Sequence, residues 1–312
     1  MEPIIAAEHL RKCYGRTEVI RDLNIEIHRG EFFSLLGPNG AGKSTTIGML
    51  TGLIQPSGGR IVIGGVDLAS NPMKAKSKIG LVPQNLALYP TLNSRDNLLF
   101  FGRIYGLKGR RLKERIRSVL DVVALSDRAH DAVATFSHGM KRRLNIAAGL
   151  LHEPEMLILD EPTLGVDPQS RKAILENLET LNRSGVTILY TTHYIEEAER
   201  LSHRVAIMDQ GDVIALDPPL TLIRNAGKGI IRMELNGGID DGLVRELEAW
   251  GSVRVIDGEK RTVHVETDRT GQALKDLLST LEKREGLLKR LDVLEPNLET
   301  VFIRLTGRDL RD

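Results

Sequence analysis

Residues Gly37 to Ser44 read GPNGAGKS, which sets Gly37, Gly42, Lys43 and Ser44 in the spacing G-x-x-x-x-G-K-S. The apolar run FFSLL precedes them, and the helix-like stretch STTIGMLTGL begins at Ser44. A strand, a glycine-rich loop and a helix in that order suit the holding of a polyphosphate. Several negative charges need several converging donors, and a tight loop at a helix N-terminus supplies them as backbone N–H groups. Glycine lets that backbone come close. Lys43 then reaches the β- and γ-phosphates, and the Ser44 hydroxyl binds the Mg²⁺ that travels with them.

Other reactive residues fall at the ends of predicted strands. EMLILDEP places four apolar residues, Met156 to Leu159, before Asp160 and Glu161. Open α/β sheets bind ligands at the carboxyl ends of their strands, so these carboxylates are expected on the same edge as the glycine-rich loop. His193 follows VTILYTT at another such end, where an imidazole could donate to a phosphate and hold Glu161 and a water in line. Taken alone, a histidine there is more often a satisfied structural residue. Gln84 follows the strand-like KIGLVP, and Tyr14 lies beside a turn in RKCYGRTEV. The Tyr14 ring suits either a half-buried strand position or a platform stacked on an adenine.

The elements that must position these groups follow from local pattern. Alternation in EVIRDLNIEIHRGEFFSLLG predicts short antiparallel strands feeding the loop strand, and GGRIVIGGVDL predicts a hairpin. From Leu86 to about Phe136 the pattern turns helical: Asn93 or Ser94 can cap one helix, and Leu112, Ile116, Val119, Leu120 and Val123 mark one face of the next. Another helix follows Ser137 and stops at Pro154. Helix periodicity over Pro168 to Leu181, a strand over Val186 to Thr191, a short helix over Ile195 to Leu201 and a hairpin turning at Gly211 complete the first part. The pair Pro218, Pro219 reads as the start of a linker.

Beyond it, strand (Ile230 to Leu235), helix (Asp241 to Trp250), two strands joined by DGEK (Ser252 to Ile256 and Arg261 to Thr267), helix (Gly271 to Glu285) and strand (Leu288 to Leu294) give a βαββαβ order. That order predicts a small ferredoxin-like α+β domain. Asn297 can cap a last helix and Gly307 can close it.

Composition narrows the classes. At 312 residues, 41% hydrophobic and 27% charged, the chain has the balance of a two-domain globular protein. A net charge of +1 shows no global nucleic-acid footprint, although the run Lys141, Arg142, Arg143 could be a local contact. The single cysteine, Cys13, excludes an intrachain disulfide and a cysteine-based zinc site, so no structural zinc is expected. No apolar run approaches the ~18 residues of a membrane span, and no charged segment followed by an apolar one opens the chain, so a secretory leader is not expected. Any membrane role is therefore expected to come through a partner.

In their order, the motifs resemble those of an ABC-type ATPase over residues 4 to about 218. GPNGAGKST is similar to the family's phosphate loop, so the resemblance implies that Gly37, Pro38, Asn39, Gly40, Ala41, Gly42, Lys43, Ser44 and Thr45 hold nucleotide. Gln84 resembles the glutamine that links the site to a helical insertion. SHGMK at 137–141 resembles the signature segment, whose Ser137 and Gly139 receive a phosphate bound on a second subunit. LILDEP resembles the second nucleotide motif, TLGVD, ending at Asp167, the loop that crosses to that subunit, and His193 the switch histidine. His138 and Met140 depart from the family pattern, which has glycine and glutamine there.

The resemblance implies a P-loop NTPase core, α/β with an antiparallel β subdomain and a helical insertion (about 86–153), at residues 1–218. A regulatory or assembly domain follows at 219–312. It also implies MgATP hydrolysis at two composite sites of a head-to-tail homodimer. Asp160 (with Ser44 and Gln84) would hold Mg²⁺, and Glu161 would act as general base beside His193 and Lys43. An integral-membrane permease would be the partner, with this subunit peripheral on the cytoplasmic face of the membrane. Leu88, Tyr89 and Leu92, read as exposed between Gln84 and the helices, could receive a permease helix. The tail EPNLETVFIRLTG resembles those of exporters of drugs, polysaccharides or lipo-oligosaccharides.

A soluble ATPase of this fold acting on nucleic acid or ribosomes is the alternative. The single motif set and the lack of long heptads between Gln84 and Ser137 weigh against it. A purely regulatory nucleotide-gated module is disfavoured by Glu161 and His193.

Overall fold

A computed structural model describes residues 3–227, 229–236, 239, 241–257, 261–267, 270–282 and 287–307. The chain divides into two compact units, residues 1–216 and 217–312. The first begins with a hairpin, β1 (Pro3–Tyr14) and β2 (Thr17–His28), whose strands run 12 residues each rather than the short strands expected. Then follow β3 (Phe32–Leu36), α1 (Lys43–Leu50), β4 (Gly58–Ile63), β5 (Val66–Asp67), α2 (Pro72–Lys76) and β6 (Ile79–Val82). The helical insertion comprises α3 (Ser94–Ile104), α4 (Gly109–Val122) and α5 (His138–Leu150). After it come β7 (Met156–Asp160), α6 (Pro168–Arg183), β8 (Thr187–Thr192), α7 (Ile195–Leu201), β9 (Arg204–Asp209) and β10 (Asp212–Asp217).

Two sheets result. One is antiparallel, in the order β2-β1-β4-β5; the other has the order β10-β9-β3-β8-β7-β6. From β9 to β6 the second sheet is parallel. Its central strands β3, β7 and β8 are buried at every position, which is why they read as continuous apolar runs rather than alternating ones. Their period of two still divides the core. Phe32, Leu157, Leu159 and Tyr190 face the helical insertion, whereas Phe33, Leu35, Met156, Ile158 and Leu189 face the antiparallel sheet. Within the insertion, Asn93 caps α3 by accepting from Asp96 N at 2.8 Å, and Leu112, Ile116, Val119 and Leu120 are the buried stripe of α4.

The second unit contains α8 (Pro219–Ala226), β11 (Gly229–Leu235), α9 (Asp241–Glu248), β12 (Ser252–Asp257), β13 (Thr262–Thr267), α10 (Thr270–Glu282), β14 (Leu288–Leu294) and α11 (Leu298–Thr306). Its antiparallel sheet runs β12-β13-β11-β14, the strand order of a ferredoxin-like βαββαβ unit. A capping box between Asn297 and Thr300 starts α11, and Gly307 at φ 77° ends it. Pro218 and Pro219 do not open a linker. They are the N-cap and first residue of α8, where a missing N–H costs nothing. Gly258 to Lys260 of the expected DGEK turn, and the expected helix end near Glu285, lie outside the described residues.

Candidate functional site

The carboxyl ends of β3, β6, β7 and β8 share one edge of the parallel sheet, and the predicted chemistry gathers there. Beyond Leu36 the chain turns through Gly40 at φ 83° and Gly42 at φ 104° before α1 begins at Lys43. No side chain caps α1, so its first N–H groups are left to the loop's concave face. The loop is braced from behind: Gly211 N donates to the Ala41 carbonyl at 3.0 Å. At Gly37 a Cβ would run into the Met208 carbonyl. Gly37→Ala is therefore expected to displace the loop from β9 and destabilise the chain by about 1–3 kcal/mol, seen as a lower urea midpoint. An unchanged midpoint would refute that packing role.

Lys43, almost fully buried, donates to the carbonyls of Gly37 (2.8 Å) and Pro38 (3.1 Å), and its Nζ lies 3.2 Å from Glu161 Oε1. Glu161 stands at φ 44°, a left-handed conformation that costs energy in a non-glycine residue and turns the chain sharply at the end of β7. Thr191, which sequence reasoning passed over, ties the Asp160 carboxylate to the Glu161 backbone. Its hydroxyl accepts from Glu161 N at 2.9 Å and donates to Asp160 Oδ1 at 2.7 Å. His193 Nδ1 lies 3.3 Å from Glu161 Oε2, close enough for ion pairing but without hydrogen-bond alignment.

A cleft of about 230 Å³ is lined by Val19, Asn39, Gly40, Gly42, Lys43, Ser44, Thr45, Gln84 and Glu161. Its donors, a lysine and an open helix N-terminus, fit a polyphosphate. The hard oxygens of Ser44, Gln84 and nearby Asp160 fit Mg²⁺, which binds through a carboxylate or two together with substrate phosphates. A larger cavity of about 770 Å³, between α3 and α4, contains none of these groups.

Several predicted residues lie outside the cleft. Tyr14 is exposed at the end of β1, with Lys12 Nζ 4.9 Å from its ring centre. Ser137 is the N-cap of α5 and accepts from Met140 N at 3.2 Å. Gly139 presses on Ser170, where any Cβ would collide. Asp167 caps α6 by accepting from Ser170 N at 2.9 Å, and those hydrogen bonds hold its carboxyl below the usual range. Thus SHGMK packs through Gly139 on Ser170 in the first turn of α6, directly after TLGVD, and beside Val166 within it.

The run Lys141, Arg142, Arg143 is not a basic patch. Arg142 is buried and donates to the carbonyls of Pro83 (2.9 Å) and Gln84 (2.8 Å), fastening the Gln84 loop to α5. Arg143 donates to the Val123 carbonyl at 2.9 Å. Beyond Gln84, the buried Asn97 accepts from Tyr89 N (2.8 Å) and donates to Tyr89 O (3.0 Å), pinning the loop against α3. Tyr89 and Leu92 are exposed as expected. Leu88 is half-buried instead, because it packs on the helical core. Leu86, Ala87, Leu88, Tyr89 and Phe101 line a groove of about 310 Å³.

Residues 20–164 match the family model described as ABC transporter. Over 312 aligned residues the chain is 45% identical to the linearmycin resistance ATP-binding protein LnrL of Bacillus subtilis (strain 168), covering 99% of this chain and 100% of that protein. It is 39% identical to the Nod factor export ATP-binding protein I of Cupriavidus pinatubonensis (strain JMP 134 / LMG 1197), with 99% and 92% covered. Among solved structures, the dimeric post-hydrolysis state of the ATP-binding cassette MJ0796 bound to ADP and Pi matches with a TM-score of 0.62 and 26% identity. That match covers 69% of this chain and 98% of the other.

Proposed function

The chain belongs to the ABC transporter family as an ATP-binding subunit, an ATPase coupled to transport, and from that premise we propose that it drives a membrane export system by hydrolysing MgATP. The observation that carries the reading is the convergence of Lys43 and Glu161, 3.2 Å apart, at the mouth of the glycine-rich loop with His193 on the far side of Glu161. The loop from Gly37 to Thr45 and Lys43 bind the phosphates. Glu161 accepts a proton from the attacking water, and His193 holds Glu161 and the terminal phosphate in register. Mg²⁺, held by Ser44, Gln84 and Asp160, would neutralise charge on the phosphate oxygens.

Subunits of this family dimerise and work with a separate permease. The proposed arrangement is a head-to-tail homodimer, in which Ser137, Gly139 and Asp167 of one copy complete the cleft of the other. Their position outside the cleft of their own chain supports this reading. Tyr14 is proposed as the adenine platform, since its ring is exposed. No described helix is long and apolar enough to cross a membrane. Because subunits of this family work with a separate permease, the proposed location is the cytoplasmic face of the membrane, with a permease helix seated in the groove beside Tyr89. Export, rather than uptake, is supported by the likeness to the Nod factor export protein.

The test is co-purification from detergent-solubilised membranes. The full chain is expected to carry an integral-membrane protein with it. A chain ending at residue 218 should retain basal ATP hydrolysis but lose part of that association, in line with an assembly or regulatory role for residues 219–312. An active ATPase that never associates with a membrane protein would refute the transport reading. A truncated chain unable to bind nucleotide would refute the independence of the first unit.

A further inference from the structure

Glu197 on α7 is a carboxylate only 4% exposed, and it has no place in the nucleotide cleft. Its Oε2 accepts three hydroxyl hydrogen bonds, from Tyr190 at 2.7 Å, Thr192 at 2.8 Å and Thr163 at 3.1 Å. These donors come from two places that matter for the reaction. Tyr190 and Thr192 form the end of β8 directly before His193, and the Thr192 hydroxyl in turn accepts from Tyr194 N at 2.9 Å, directly after it. Thr163 lies in the loop that runs from Glu161 to Asp167. Burial and the neighbouring Glu197 push the Tyr190 phenol well above its ordinary range, which keeps it a donor.

The other oxygen, Oε1, makes no hydrogen bond, and Arg171 Nε of α6 approaches it at 3.8 Å. The Arg171 guanidinium also lies over the Tyr194 ring, 4.1 Å from its centre. A buried carboxylate needs donors to offset its desolvation, and charge-assisted bonds are roughly twice as strong as neutral ones. One oxygen therefore grips the segments on both sides of the site.

We propose that Glu197 is a positioning residue for hydrolysis: it locks the His193 segment to the loop leading to Asp167, so that the placement of His193 against Glu161 depends on where that loop sits. The proposal rests on the assignment of Glu161 and His193 made above. It gives the 163–167 loop a route to the hydrolytic residues of its own chain, through Thr163 and Glu197.

Glu197→Gln preserves size but removes the charge, so the three hydroxyl bonds lose their charge assistance and an amide N–H₂ replaces the oxygen that faces the Arg171 guanidinium. In the 312-residue chain, ATP turnover is expected to fall about tenfold or more, while the Kd for a fluorescent ATP analogue stays within about twofold. Unchanged turnover would overturn the proposal. So would a parallel loss of turnover, affinity and thermal stability, which marks a merely structural role.

Thr163→Val and Thr192→Val, alone and combined, give a second reading that does not require the Glu197 variant to fold. Their effects on turnover should be non-additive by about threefold or more, because both act through one oxygen. Additive effects would overturn the proposal. His193→Ala, measured alongside, separates the two levels. If it leaves turnover intact, the assignment of the hydrolytic residues fails. If it lowers turnover and Glu197→Gln does not, only the present inference fails.

Discussion

Glu161→Gln is expected to slow ATP hydrolysis by about 10²–10⁴-fold while leaving MgATP bound, since that is the range supplied by a positioned general base. The substitution keeps volume and suits the same backbone, whose φ of 44° is set by the turn at the end of β7 and by Glu161 N donating to Thr191. It also leaves Lys43 satisfied, because the carbonyls of Gly37 and Pro38 remain at 2.8 and 3.1 Å. What is lost is the acceptor for the water's proton. A chain that binds ATP and cannot split it should accumulate as a dimer in gel filtration with ATP and Mg²⁺, and should dissociate when ATP is withdrawn. Turnover within a few-fold of the unaltered chain would remove Glu161 from the base role, and a monomer under those conditions would contradict the composite site.

For Lys43→Ala the expected loss is in binding itself. Truncating one partner of a buried, hydrogen-bonded charge pair costs about 2–5 kcal/mol, so ATP affinity should drop roughly 30-fold or more, and hydrolysis with it. The same change leaves Glu161, 6% exposed, without its cation. A buried charge stripped of its partner is costly, so the Lys43→Ala chain should also melt earlier. Adding Glu161→Gln to Lys43→Ala should recover much of the lost Tm but none of the ATP binding. Recovery of neither, or of both, would show that the Lys43–Glu161 pair does not carry the effect. Normal ATP affinity in Lys43→Ala would dismiss the loop as the phosphate site.

Both substitutions concern residues that were legible from short stretches of chain. GPNGAGKS is a contiguous loop whose glycines and lysine act within a few residues of one another, so spacing alone conveys its geometry. Asp160 and Glu161 were legible because an apolar run that stops at two carboxylates marks the carboxyl end of a buried strand, where open α/β sheets bind ligands. The stripe of α4 was legible because 3.6-residue periodicity is local, and the βαββαβ order because each of its elements has its own pattern. Errors arose where a local signal had two uses. Pro-Pro marks a loop as readily as the first turn of a helix, and here it begins α8. Three consecutive basic residues suggest a surface patch, yet helical geometry turns Arg142 inward to the carbonyls of Pro83 and Gln84.

What the sequence determined by itself was therefore the set of candidate groups: a glycine-rich loop, two carboxylates and a histidine, each at the end of a strand. Tertiary structure alone decided how those pieces are held. Thr191 joins Asp160 to the Glu161 backbone across 31 and 30 residues, Asn97 pins the segment after Gln84, and Glu197 gathers hydroxyls from two separate loops. A hydroxyl or amide has no local pattern that names its partner. The parallel sheet brings distant strand ends side by side, and only then does a threonine acquire two carboxylate residues to bridge.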